Sequence, residues 1–306
     1  VPDWRNATES VEAEPERALV HRSATASVFE LRRVAVPDEL AVFVDHVWIV
    51  TWDLGEAVTE SAVIPFPSVN LSVEWGQEGA WRHGFELPAV LAHGVVTRLF
   101  RIELTGTGGV IGVRFRPGGF AAVFGRDVSV LADRVLPAEE MVGAELAGEL
   151  RAGISGGGDA LSPSEVDAVG QAAIELLTRR APEPSERFLR VAGLCDEMRD
   201  DPELVRVDQL PARCGWSVRT IQRIFRTDVG AGPKWVLGRY RLQEAALELE
   251  RTGAGDLAGL AATLGWYDQA HFTNEFRSVM GVTPKEYAEA VHRDPPATRP
   301  GSRRNV

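Results

Sequence analysis

The sequence predicts an α+β chain: a strand-rich N-terminal region closed by helices, then an all-helical C-terminal region. Three observations predict this. Between Ser27 and Arg116, short β-branched or aromatic runs are broken by Gly, Pro and Asp. From Pro117 onward the apolar period becomes helical. Near the end the phrase F-R-x-x-x-G-x-x-P-K occurs twice, at Phe225–Lys234 and Phe276–Lys285, starting 51 residues apart. Lys234 and Lys285 are the only lysines in the chain.

Taken in order, residues 1–15 and 294–306 are polar and rich in charge or Pro, and are expected to be disordered. The runs AVFVDHVWIVTWDL, SVNLSVEW, VVTRLFRIEL and GVIGVRFRP read as strands. GGFAAVFG and PAEEMVGAELAGELRAG read as helices, and SGGGDALSPS as a loop. Ser162 or Ser164 caps a helix running to about Arg180. APEPS marks a second break. The expected division is therefore a regulatory region over 16–180, a linker over 181–186 and a helical domain over 187–293.

The two phrases end longer repeats, LPARCGWSVRTIQRIFRTDVGAGPKW and LAGLAATLGWYDQAHFTNEFRSVMGVTPKEY. Helix, Gly, apolar residue, capping Ser or Asp, then a second helix is the pattern of a helix-turn-helix. In the first copy Asp208 is expected to cap a helix through Cys214, Gly215 turns, and Ser217 caps the next helix. Ile221, Ile224 and Phe225 form its buried stripe, which leaves Arg219, Gln222, Arg223 and Arg226 facing outward. In the second copy Asp256 and Asp268 are the caps. Phe272 and Phe276 face inward, Gln269, Ala270, Thr273, Asn274 and Arg277 face outward or sideways, and His271 lies between. Pro233–Arg251 reads as one helix of about 27 Å, a spacer suited to the ~34 Å turn of a DNA duplex.

The net charge of −11 is unevenly spread. Residues 1–184 carry a balance of −12 and residues 185–306 a balance of +1; Leu210–Gln243 alone carry seven basic residues against Asp228. Charges beyond about 10 Å are screened at physiological salt, so a local basic patch can hold phosphate on an acidic chain. The second copy, residues 256–290, has two basic and five acidic residues, and the first copy is expected to dominate affinity. No apolar run is long enough to span a bilayer, the N-terminus lacks a secretory pattern, and two cysteines make no disulfide framework. A cytoplasmic protein is expected. No G-x-S-x-G, P-loop, G-x-G-x-x-G or H-E-x-x-H occurs, so no enzyme and no cofactor are expected.

The motifs G-W-S-x-R-T-I-Q-R-x-F-R-x-x-x-G-x-x-P-K, R-Y-R-L-x-x-A and L-A-x-x-x-G-W-Y-D-Q-A-H-F-x-x-x-F-R-x-x-x-G-x-x-P-K-x-Y resemble the DNA-binding domain of the AraC/XylS family of bacterial transcription regulators. The resemblance covers the last ~105 residues. It implies that Arg219, Gln222 and Arg223 read bases, with Thr220 beside them, and that Gln269, Ala270, His271, Thr273 and Asn274 occupy the matching face of the second unit. Arg and Gln suit bidentate contacts to guanine and adenine. Ser217, Arg226, Arg277, Lys234 and Lys285 suit phosphate. The partner implied is double-stranded DNA; RNA polymerase and a second copy of the chain are further candidates.

IPFPSVNLSVEWG, GVVTRLF and GVIGVRFRPGGFAAVFG resemble the sensor-type region of one AraC-like subgroup, which implies a β-barrel-like, cupin-like domain and a small-molecule effector. Trp48, Trp75, Trp81, His83, His93, Arg114 and Arg116 are the candidate effector residues. Arg114 and Arg116, two apart, are placed on one face of a strand. The histidines lack the helical or tight spacing of a metal site, so none is assigned. The competing reading is a sensor or binding protein that acts through protein contacts, with a weak or vestigial DNA-binding domain.

Overall fold

A computed structural model of the protein describes residues 29–63, 66–98, 100–154 and 161–293. The two termini expected to be disordered lie outside the described residues. Contacts divide the chain into two compact units, Val1–Arg239 and Tyr240–Val306, the division falling inside the helix α9 (Pro233–Thr252).

The first unit holds a six-stranded antiparallel sheet in the order β1-β2-β7-β3-β6-β8. Its strands are β1 (Phe29–Val34), β2 (Val44–Val63), β3 (Asn70–Gly76), β6 (Ala89–His93), β7 (Phe100–Phe115) and β8 (Val135–Pro137). A small hairpin, β4 (Trp81–Arg82) and β5 (Phe85–Glu86), forms a separate pair. VVTRLFRIEL and GVIGVRFRP, read as two strands, join as the single β7. The Thr-Gly-Thr-Gly-Gly stretch between them stays within the strand: Thr107–Gly109 pair with β2 and Gly108–Gly109 with β3, and the register against β2 shifts at Gly106.

That ladder needs its glycines. Across the register Trp48 faces Gly112, Trp52 faces Gly108 and Trp75 faces Gly109. A Cβ on Gly112 would lie 2.1 Å from the Trp48 indole, and one on Gly109 would lie 2.2 Å from the Trp75 ring. Glycine weakens a strand in general, but here it makes room for a large aromatic on the neighbouring strand.

Side chains alternate between two faces. On one face Val47, Ile49, Leu71, Val73, Trp75, Val90, Ile111, Val113 and Phe115 join the main core. Helix α5 (Pro163–Thr178) covers it with Val166, Val169, Ala173, Ile174 and Leu177. A capping box between Ser162 and Glu165 starts α5, which settles the choice between the two serines. The stretch read as one helix before it is two, α3 (Glu139–Val142) and α4 (Ala144–Ala152), separated at Gly143 with φ 88°. The other face carries Trp48, Trp52, Ser72, Glu74, His93 and Arg114.

The break at 181–186 is a break in helix but not in packing. Helix α6 (Glu186–Asp200) follows it, yet its Phe188 belongs to the same core and stacks on Phe43 with centroids 4.9 Å apart. The short helix α1 (Asp38–Ala41) leads into Phe43, and α2 (Gly119–Phe124) adds Phe120 to the same core. Then come α7 (Leu210–Cys214), the turn at Gly215 with φ 72°, and α8 (Val218–Ile224), which continues as a π-helical turn through Phe225–Val229. That turn lies against α2 and the 3-10 turn Val128–Leu131. A Cβ on Gly230 would meet Val95 and Val128 at 3.4 and 3.5 Å.

The second unit contains the rest of α9, α10 (Leu257–Thr263), α11 (Gln269–Met280) and α12 (Pro284–Arg293). An aromatic series runs through it: Trp266 on Phe272 at 4.8 Å, Phe272 on Phe276 at 5.7 Å, Phe276 on Tyr287 at 5.6 Å. Tyr287 donates to Glu250 Oε1 at 2.6 Å. No helix among the described residues is long and apolar enough to cross a membrane.

Candidate nucleic-acid interface

Each unit presents one capped helix on an aromatic anchor. In α8, Ser217 Oγ accepts from Thr220 N at 3.2 Å and shares a 2.9 Å hydrogen bond with the Thr220 hydroxyl. Ile221, Ile224 and Phe225 are buried beneath it. Ser217, Arg219, Gln222, Arg223 and Arg226 are exposed, Thr220 is half-buried, and Lys234 is exposed in the first turn of α9. In α11, Asp268 accepts from His271 N at 2.7 Å, and Phe272 and Phe276 are fully buried. Gln269, Ala270, His271, Asn274 and Arg277 are exposed and Thr273 is half-buried.

One expected cap is different. Asp208 lies in a 3-10 turn, Val207–Gln209, and α7 begins after Gln209. No side chain caps α7; Asp208 accepts from Arg206 Nε at 3.2 Å, and the Gln209 amide oxygen accepts from the backbone N–H groups of Val205 and Arg206 at 2.9 and 2.7 Å.

The basic stretch is smaller on the surface than in the sequence. Arg213 pairs with Asp201 at 2.7 Å, Arg239 is buried against Trp235, and burial lowers the pKa of Arg241 while Glu275 opposes that. Arg219, Arg223, Arg226 and Lys234 remain exposed, and none of them is ion-paired among the described residues. The acids of the second unit are likewise occupied. Asp256 and Asp268 cap α10 and α11, Glu275 accepts from Trp266 Nε1 at 2.7 Å, and Glu286 closes a capping box with Thr283. Glu289 sits 3.9 Å from Lys285. The two repeated lysines therefore differ: Lys285 has an acidic neighbour one turn on.

Of the candidate effector residues, Trp48, His93 and Arg114 share one face of the sheet around Asn70, while Trp75, Trp81 and Arg116 lie elsewhere. Trp75 lies on the core face and Trp81 is 67% exposed on the hairpin. Trp48 Nε1 donates to Asn70 Oδ1 at 3.3 Å. Arg114 and Arg116 do not share a strand face, because β7 ends at Phe115. Arg114 lies over the Phe66 ring and 3.4 Å from Asp45, while Arg116 donates to Asp196 of α6 at 2.8 Å. Burial would raise the Asp45 carboxyl, but the His46 hydrogen bond and the Arg114, His46 and Arg116 charges outweigh it and hold it at about 2. A groove of about 300 Å³ lies elsewhere, between β5, β6, β8 and α4, and none of these candidates lines it.

His83 and His93 do meet, around a residue the sequence reading omitted. Glu74 is buried; its Oε1 accepts from Ser72 Oγ at 2.7 Å and lies 3.1 Å from His93 Nε2 and 3.7 Å from His83 Nε2. Its Oε2 accepts from Arg82 at 3.0 Å. Burial works to raise the Glu74 carboxyl; the His93 hydrogen bond with the His93 and Arg82 charges reverses this and lowers it. Burial pushes His83 down to about 4 against the pull of Glu74. The signal was present in N-x-S-x-E at Asn70–Glu74, polar residues at period two within an apolar strand.

Two helix-turn-helix units in one chain define the class: a protein with a helix-turn-helix domain. Residues 210–290 match the family described as Helix-turn-helix domain, and residues 32–137 match Domain of unknown function (DUF6597). A Streptomyces antibioticus protein whose name calls it AraC-like is 29% identical over 123 residues, covering 37% of this chain and 40% of that protein. The HTH-type transcriptional regulator MtrA of Neisseria gonorrhoeae is 29% identical over 99 residues, 32% of this chain and 33% of its own. The chain thus spans well under half the length of either relative. The crystal structure of ToxT from Vibrio cholerae O395 covers 86% of this chain and 98% of its own at 13% identity, with a TM-score of 0.36, a likeness too loose to argue from. Residues 210–290 are thus similar to the helix-turn-helix region of AraC-like regulators.

Proposed function

We propose that this chain is a sequence-specific DNA-binding regulator whose N-terminal domain governs the first reading helix. The carrying observation is the pair of capped helices with polar outward faces on buried aromatic anchors. Arg219, Gln222 and Arg223 read bases, helped by Thr220. Ser217, Arg226 and Lys234 hold the phosphates. Gln269, Ala270, His271, Thr273 and Asn274 give the second unit a weaker reading with polar contacts, and Arg277 and Lys285 its phosphate contacts. Helix α9, 20 residues or about 30 Å long, is the spacer. The packing of Phe225–Val229 on α2 and Val128–Leu131 supports control by the N-terminal domain. An effector, or self-association, acts by preferring one state of that packing. A gel shift with duplexes from the chain's own genomic neighbourhood tests the reading. Binding to selected sequences at moderate salt is expected; indifference to every duplex at low ionic strength would leave the protein-contact alternative.

A further inference from the structure

We infer that Glu74, His83 and His93 form a binding site for one divalent transition-metal ion of the zinc class. One ligand atom from each residue lies within 4.8 Å of the others. A zinc ion with bonds of about 2.0–2.1 Å separates tetrahedral ligand atoms by about 3.3 Å. The Glu74 Oε1 distances of 3.1 Å to His93 Nε2 and 3.7 Å to His83 Nε2 bracket that edge. The two imidazoles are unstacked, meeting edge to face with 4.9 Å between centroids and 86° between planes, and the Nε2 atom of each faces Glu74 Oε1. Two imidazoles and a carboxylate, with a fourth position left to Ser72 or water, suit zinc better than a hard alkaline-earth ion.

The surroundings are those of a held ligand set. Arg82 occupies Glu74 Oε2 at 3.0 Å and donates to the Trp75 carbonyl at 3.3 Å, so the carboxylate is fixed with Oε1 toward the histidines. Such outer contacts orient metal ligands. His83 itself is strained: it sits at φ 54° in the two-residue turn His83–Gly84 of the β4–β5 hairpin. Positive φ is uncommon for a residue with a side chain. A hairpin with two residues per strand is not stable by itself. Arg82 and His83 are its ties to β3, and a metal ion bridging His83 to Glu74 and His93 staples it to the sheet. The ligands come from a turn and two strands, nine and ten residues apart, which is why no helical or tight spacing revealed them.

The test uses tag-free full-length protein stripped with chelator, then titrated with zinc chloride by calorimetry and with cobalt chloride by visible absorption. One equivalent of zinc at micromolar affinity or tighter is expected, with cobalt bands of a four- or five-coordinate ion. His83→Ala is expected to weaken zinc at least tenfold, and His93→Ala likewise. X-ray absorption of the zinc-loaded wild type is expected to show imidazole in the first shell. Absence of a stoichiometric site in the wild type would overturn the inference. So would a zinc shell without imidazole, or affinity unchanged in the His83→Ala/His93→Ala double variant.

Discussion

Single residues carry the sharpest expectations. Arg219→Ala should change sequence preference, losing about 1–3 kcal/mol of discrimination at one base pair in a binding selection. Lys234→Ala should weaken all duplexes alike and lower the salt slope by about one unit. Lys285→Ala should do less, because Glu289 already lies 3.9 Å away; equal losses for the two lysines would contradict the asymmetry. The two thiols should also part. Cys195 is buried and burial raises its pKa, whereas Cys214 is half-buried, so a thiol reagent should titrate one group in the native protein and two after unfolding. Asp45 gives a pH effect with a definite sign. Its folded pKa of about 2 is below the ordinary aspartate value of 3.8, so its contribution is complete above about pH 4 and is lost as pH falls toward 2. With 49% of the side chain exposed, solvent screening keeps that contribution to about 1 kcal/mol. Replacing Asp45 by Asn should flatten acid unfolding in that window.

Elements were readable wherever a local chemical device sets them. Ser217, Asp256 and Asp268 cap their helices as the sequence suggests, and Gly215, Gly230 and Gly281 adopt left-handed conformations at helix ends. Ser217→Ala should cost about 1 kcal/mol in thermal or urea unfolding. Devices set by distant partners were not readable. Nothing local in Glu74 announces two histidines on other segments, and nothing local in Thr105–Gly109 shows that the strand continues. Gly108 and Gly109 there, and Gly112 beyond, answer to tryptophans 34–64 residues away. Gly112→Ala should therefore destabilise by more than the ~1 kcal/mol scale of strand propensity, since Trp48 must move. Pairing it with Trp48→Val should recover part of the loss, and a double-mutant cycle measures the coupling.

For the whole molecule, the sequence divides where helix breaks, but contacts divide elsewhere. Phe188 shows why: it begins beyond the 181–186 break yet stacks on Phe43 inside the N-terminal core. Phe188→Ala should cost about 3–5 kcal/mol. It should loosen the sheet and the first helix-turn-helix unit together, seen as one transition by tryptophan fluorescence and by loss of DNA binding. If only the helical part responds, the shared core is not energetically continuous. That shared core also makes traffic between domain and duplex two-way. On the proposed function linkage is reciprocal: whatever an effector would do to operator affinity, the operator would do to effector affinity by the same factor. Occupied promoter DNA would then act as a hormone for the sheet, tightening or relaxing its amide exchange some distance from any base pair.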